Sequence, residues 1–124
     1  MGSSIRSESF GEIRTVHLTD AKILDESVIQ QISKDLLDLL GKTEETNVVL
    51  DFDQVRFMSS SALGMLIKVN KKCKEFKIDL KLCNIAPDIL QVFKITRLDK
   101  VLAIYPDSQA AFAAFKKSGL FFRK

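Results

Sequence analysis

Residues 48–64 read VVLDFDQVRFMSSSALG, and no other stretch limits the possible folds as tightly. Val48, Val49, Leu50 and Phe52 make an apolar, β-rich run of the kind found in a buried strand. Ser59, Ser60 and Ser61 close that segment, and a helical pattern starts directly after them. The serines are therefore expected where a buried strand hands over to the N-terminus of a helix. Unpaired backbone N–H groups converge at such a point and favour an oxyanion or a phosphate. A hydroxyl placed there can be a cap, a nucleophile or a phosphorylation site.

Strand and helix patterns alternate on both sides of this handover. Residues 5–10 and 13–19 are predicted as two short strands around Gly11 and Glu12, an antiparallel hairpin at the edge of a sheet. Val28, Ile29, Ile32, Leu36, Leu39 and Leu40 share one helical stripe, with Asp25 expected as N-cap and Gly41 as C-terminal stop. Residues 47–52 form the first strong strand. The helix after the serines is predicted over 61–75, burying Leu63, Leu66, Ile67 and Asn70 or Cys73, while Lys68, Lys71 and Lys72 face water. Residues 78–83 alternate, with Ile78, Leu80 and Leu82 on one face and Asp79, Lys81 and Cys83 on the other.

Pro87 suits the first turn of a helix, because the amide it lacks would be unbonded there. Ile89, Leu90, Val92 and Phe93 give that helix its apolar side. Residues 101–105 read as the last strand, and Pro106 and Asp107 open a final helix expected to end near Gly119. The tail after it, 120–124, is apolar for a chain end and is expected to dock on the domain or on a partner. Strands joined by helical crossovers predict an α/β fold: a small mixed sheet of four to five strands, flanked by about four helices.

Composition narrows the function. A chain of 124 residues predicts one domain over 1–124, and 46% apolar content with nine phenylalanines argues against disorder. No run is long enough to span a membrane, no signal peptide is visible, and Arg6 stands where an acylation motif after Gly2 would need Ser or Thr. Cys73 and Cys83 lack metal-ligand spacing and read as buried thiols of a cytoplasmic protein. A net charge of +3 does not imply nucleic acid.

Enzymatic equipment is scarce. His17, the one histidine, reads as a satisfied strand residue. Gly64 stands alone rather than in a phosphate loop, and the serines lack the flanking glycines of a nucleophile elbow. Asp51 and Asp53 read as solvated strand-end carboxylates, and the lysines between 68 and 81 as a solvated face, with an acidic protein partner as the second reading. A serine hydrolase would need a base that the sequence does not offer. These features predict a binding protein with no catalytic residue, metal or cofactor. For the serines themselves, helix capping, worth ~1 kcal/mol and needing one hydroxyl, stands level with modification.

Residues 48–69, VVLDFDQVRFMSSSALGMLIKV, resemble the signature of STAS domains, especially bacterial anti-sigma factor antagonists. In that family a strand ending in Asp or Glu leads through an apolar–Met pair to Asp-Ser-Ser/Thr-Gly-Leu-Gly and an apolar helix. Here Ser59 stands for the Asp and Ala62 for the first Gly, and residues 19–25 depart from the family's Gly-acidic-apolar-Asp loop. The downstream LKLCNIAPDILQVFKITRLDKVLAIYPD is similar to the family's strand, Pro-led helix and last strand, so the resemblance covers roughly 10–116.

The resemblance implies a four- to five-stranded sheet flanked by helices. It also implies binding to an anti-sigma factor that is a serine kinase, which frees a sigma factor. Phosphorylation of one serine ends that binding and a serine phosphatase restores it. The acceptor falls on Ser60, with Ser59 and Ser61 as the alternatives. The docking face would comprise Met58, Ser59, Ser60, Ser61, Met65 and Lys68, joined by Asp20 and Lys22 of the preceding loop. Neither nucleic acid nor membrane insertion is implied, and any ATP and magnesium belong to the kinase. The competing reading is an unphosphorylated STAS scaffold, a subunit of a signalling complex or lipid-transport assembly.

Overall fold

A computed structural model describes residues 5–117, the side chains of Lys116 and Lys117 excepted. The hairpin expected at the start is present. Strand β1 (Ile5–Phe10) pairs antiparallel with β2 (Ile13–Leu18), Phe10 facing Ile13 across a turn that Gly11 makes at φ +61°. Then follow β3 (Lys22–Ile23), α1 (Glu26–Lys42), β4 (Asn47–Asp51), β5 (Phe57–Met58), α2 (Ser60–Glu75) and β6 (Asp79–Cys83). Helix α3 (Pro87–Ile95), a 3-10 turn (Leu98–Lys100), β7 (Ala103–Tyr105) and α4 (Ser108–Lys117) complete the described chain.

The main sheet has the order β1-β2-β4-β6-β7, and every pair after the hairpin is parallel. Parallel pairing requires crossovers, and α1, α2 and α3 supply them. These helices bury Ile32 and Leu36, Leu66 and Val69, and Phe93 against Val16, Leu18, Val48, Leu50 and Leu82 of the strands. On the opposite face α4 sets Ala111 and Phe115 against Ile13, Val49 and Cys83. All five residues of β4 are buried, as the apolar run requires of a central strand covered on both sides.

Several boundaries differ from expectation. Helix α1 passes through Gly41 and ends at Lys42, where extended Thr43 returns its N–H to the Leu39 carbonyl at 2.8 Å. Asp25 does occupy the N-cap position, but its backbone carbonyl, not its side chain, takes the Ile29 N–H at 3.0 Å. Helix α2 starts one residue early, at Ser60. The nine-residue α3 buries only Ile89 and Phe93, one turn apart, which leaves Val92 exposed. After a 3-10 turn over 98–100, Val101 and Leu102 return their N–H groups to the Leu98 carbonyl at 3.0 and 2.9 Å, so the last strand keeps only 103–105.

Lys81 departs most from the alternating pattern. It is buried, because α4 covers the face assigned to water. Its Nζ pairs with Asp79 Oδ1 at 2.9 Å and lies 4.5 Å from the Phe115 ring centroid. Cys73 and Cys83 are buried free thiols, and burial lifts them to about 11 and about 12, the carboxylates of Asp51, Asp107 and Asp53 adding to the rise at Cys83. The expected helix end near Gly119 and the docking of the tail 120–124 lie outside the described residues.

Candidate functional site

The site is built from the end of β4 outward. Phe52 and Val55 are fully buried, and their N–H groups bond to the carbonyls of Cys83 (3.0 Å) and Phe52 (2.9 Å), which fixes the loop after the strand. Asp51 is no solvated carboxylate. It is buried, accepts the Asp53 N–H at 2.9 Å and the Asn84 amide at 3.0 Å, and lies 3.3 Å from His17 Nδ1. The other ring nitrogen of His17 lies 3.1 Å from Glu8, so the histidine is satisfied between two carboxylates, as its strand position suggested.

From this base the chain pairs with the earlier loop. Strand β5 runs parallel to β3, with Lys22 opposite Phe57 and Ile23 opposite Met58. The Ala21 carbonyl accepts the N–H groups of Arg56 (2.8 Å) and Phe57 (3.1 Å), and the Ile23 carbonyl accepts that of Ser59 (3.1 Å). The loop carrying Asp20 and Lys22 is thereby strapped to the segment that enters the serine cluster. Pairs of two residues carry no periodicity, so neither strand is legible in the sequence.

The serines divide their tasks. Ser59 is the N-cap of α2, extended at φ −89° and ψ 170°, and its hydroxyl accepts the Ala62 N–H at 3.2 Å. Ser60 and Ser61 are exposed in the first turn, and the Ser60 hydroxyl has no hydrogen-bond partner among the described residues. No acidic side chain occupies that turn, so the positive end of the helix dipole is left uncompensated.

Beside the serines a groove of about 400 Å³ opens between α1 and α2, lined by Glu26, Ile29, Lys34, Ser61, Gly64 and Lys68 among others. Met58 is half-buried, while Met65 is 5% exposed and packs in the main core, so it supports the groove from beneath and is not itself a surface residue. The structure thus brings Met58, Ser59, Ser60 and Lys22 to one strapped segment, and Ser61 and Lys68 to the adjoining groove.

Three neighbours were not identified from sequence. Leu24 (47% exposed) and Phe57 (52% exposed) present apolar surface, with the Lys22 ammonium 5.9 Å from the Phe57 ring centroid. Arg56 is exposed and donates to the Asp53 carbonyl at 3.1 Å. Local pattern misleads at Phe57, because alternation from buried Val55 would turn it inward. Among the described residues no cluster of three or more His, Cys, Asp or Glu could hold a metal ion, and no helix is long and apolar enough to cross a membrane. The surface offers a free hydroxyl at a helix N-terminus, ringed by basic and apolar groups. Such a surface suits docking and modification.

Known proteins share this fold. The model of the STAS domain matches residues 5–111. BtrV of Bordetella bronchiseptica, described as a candidate anti-sigma factor antagonist, is 28% identical over 94 residues, 76% of this chain and 80% of that protein. A STAS-domain anti-sigma-factor antagonist from Planctomyces limnophilus superposes with a TM-score of 0.75 at 23% identity, over 89% of this chain and 96% of that one. The Bacillus cell fate determinant SpoIIAA in its phosphorylated form superposes with a TM-score of 0.64 at 17% identity, over 89% and 98% of the two chains.

Proposed function

The chain belongs to the STAS-domain family, and on that premise we propose that it is a phosphorylation-controlled binding module in which Ser60 is the switch. Unmodified, it docks on an anti-sigma factor with serine kinase activity and so frees a sigma factor; phosphorylated, it is released until a serine phosphatase resets it. The contact surface comprises Met58, Ser59, Ser60, Ser61 and Lys68 with Asp20 and Lys22, backed by buried Met65 and extended by Leu24 and Phe57. The reading makes the protein a cytoplasmic regulator without catalysis of its own.

One observation carries this reading: Ser59 takes the capping duty, which leaves the exposed Ser60 hydroxyl free for another use. Phosphate would add about −1.5 to −2 charges at Ser60. The first turn of α2 holds no acidic side chain to repel it, and exposed N–H groups with the positive dipole end would favour it. A partner pressed against that turn meets bulk and a charge it must desolvate, which is costly. The switch therefore acts by blocking an interface and leaves the domain folded. The names of BtrV and of the phosphorylated SpoIIAA structure agree with such a role.

Phosphopeptide mapping of protein from its own cells tests the reading. Cleavage after Arg56 and Lys68 isolates residues 57–68, which hold all three serines. Phosphate on Ser60 in a condition-dependent fraction is expected. Binding should then survive Ser60→Ala and be lost in Ser60→Asp. A peptide found bare under every growth and stress condition, with a complex indifferent to Ser60→Asp, would replace the switch with the scaffold reading.

A further inference from the structure

The carboxyl end of α3 and the turn after it carry a surface that the serine site does not use. Seven large apolar side chains are exposed among the described residues, and three of them, Val92, Ile95 and Val101, fall between positions 92 and 101. Ile95 is 77% exposed, the most of the seven. Val92 and Ile95 stand one helical turn apart on α3, and the 3-10 turn that leads to Val101 packs on that helix. The Val101 carbonyl accepts the Asn70 amide of α2 at 3.4 Å, which joins the turn to a second helix. Single exposed apolar residues are ordinary, but a group of them rimmed by charge marks an interaction surface.

The rim here is basic. Lys94, Arg97 and Lys100 are interleaved with the apolar residues, and the tie through Asn70 sets Lys71 and Lys74 of α2 beside them. All five are exposed, and none is paired with a carboxylate among the described residues. Acidic groups nearby do little to offset them: Asp99 is half-buried, and Glu75 is engaged by Lys72 at 3.2 Å. Five unpaired cations exceed the +3 net charge of the whole chain, so positive charge is concentrated at this end. The exposed apolar groups among them are aliphatic and offer no ring on which a base could stack. Ile95 protrudes instead of lining a groove for a partner's side chains. Protruding aliphatic groups within a ring of lysine and arginine suit an anionic bilayer, where apolar groups enter the headgroup boundary and cations meet lipid phosphates.

From this complementarity we infer that the surface docks on an anionic lipid bilayer, with Ile95 and Val101 at the acyl boundary and Lys94, Arg97 and Lys100 against the phosphates. The contact is peripheral, since no helix among the described residues is long and apolar enough to cross a membrane. Lys74 lies at the other end of α2 from Ser60, about 21 Å along the axis at 1.5 Å per residue. Docking here therefore leaves the serine turn open to a protein partner.

Sedimentation of the full-length protein with lipid vesicles tests this. Binding is expected to an equal mixture of phosphatidylglycerol and phosphatidylcholine at low salt, with little to phosphatidylcholine alone, and high salt should weaken it. Lys94→Gln/Arg97→Asn/Lys100→Gln should weaken binding about 100-fold, at about fivefold for each basic residue. Asn suits the left-handed backbone at Arg97, where φ is +67°. Ile95→Ser should weaken binding about tenfold. All four positions are exposed, so melting curves of these variants should match that of the unaltered protein. The chain has no tryptophan, so Ile95→Trp supplies a single reporter whose emission should shift to the blue on the mixed vesicles. Absence of binding to those vesicles at low salt would overturn the inference, as would an emission that keeps its aqueous wavelength. Binding that the triple variant retains in full would place the contact elsewhere on the chain and overturn it too. Equal binding by Ile95→Ser and the unaltered protein would mean that charge alone is read, and would replace the bilayer with a soluble polyanion.

Discussion

On the face covered by α1, α2 and α3, the central strands contribute Val16, Leu18, Val48, Leu50, Leu80 and Leu82, whereas the face under α4 mixes Ile13 and Val49 with Thr15, Asn47, Asp51 and Lys81. The buried strand residues of the first face are all apolar. The second must also satisfy buried polar groups, and it succeeds unevenly. Asp51 has backbone and amide donors and Lys81 has Asp79, while Thr15 Oγ1 and Asn47 Oδ1 have no partner among the described residues. Unsatisfied buried groups cost about 1–3 kcal/mol each, so stability is concentrated on the face covered by α1, α2 and α3.

Neighbouring residues of β4 give the largest test. Leu50 points to the first face and Val49 to the second, and both are almost wholly buried. Leu50→Ala should cost about 2–5 kcal/mol, because the cavity is enclosed by three helices that cannot all collapse into it. Val49→Ala removes two methyl groups and should cost about 1.5 kcal/mol. Urea denaturation of both variants measures the difference. Equal losses would break the contrast between the faces.

Lys81 sharpens it in the other direction. Its charge is buried against Phe115, while its partner Asp79 remains 43% exposed and can be solvated without it. Lys81→Met keeps the length and removes a charge that folding must desolvate. Replacing buried ionic groups by apolar ones of similar volume is often neutral or stabilising by about 1–4 kcal/mol. The expected gain is about 0–2 kcal/mol, at the low end because one ion pair and its ring contacts are given up. A loss beyond 2 kcal/mol would mean that the cation actively holds α4 to the sheet.

The same residue marks the limit of what sequence conveys. Period-2 alternation correctly separated Leu80 and Leu82 from Lys81, but which face meets water depends on α4, some thirty residues further along the chain. The helix stripes and central strand were legible because burial of one face imposes a period. Asp51 was misread for the reason that Lys81 was, since nothing local announces that Asn84 and His17 will close around it. At the candidate site the serine cluster was readable as a strand-to-helix handover. The β3–β5 pair that straps Lys22 to Phe57 was not, because it depends on the Ala21 and Ile23 carbonyls and on no side-chain pattern.

A polar tie at the rim of the first face makes its stability depend on acid. Hydrogen bonds from Thr43 and Ser9, aided by Arg14, hold Glu45 at about 2, below its ordinary 4.5. A carboxyl lowered on folding stabilises the native state in full above its unfolded value, and the contribution is lost as pH falls through the folded one. Stability should therefore decline between about pH 4.5 and pH 2. Glu45→Gln should flatten that part of the curve while lowering the plateau at neutral pH. Thermal melts across this range check it, and a Gln variant with the same acid slope would place the sensitivity elsewhere.

The smallest effects fall at the serines, where they separate fold from function. Ser59 accepts the Ala62 N–H, so Ser59→Ala should lower stability by about 1 kcal/mol. Ser60 makes no such bond and is exposed, so Ser60→Ala should stay within about 0.5 kcal/mol. Melting curves of the two variants, recorded side by side, read the difference. If Ser60→Ala cost as much as Ser59→Ala, both hydroxyls would share the cap and neither would be spare, which removes the structural ground for a switch. A silent Ser60→Ala would leave that hydroxyl with no part in holding the fold, so any loss of partner control in the same variant would report on the site itself.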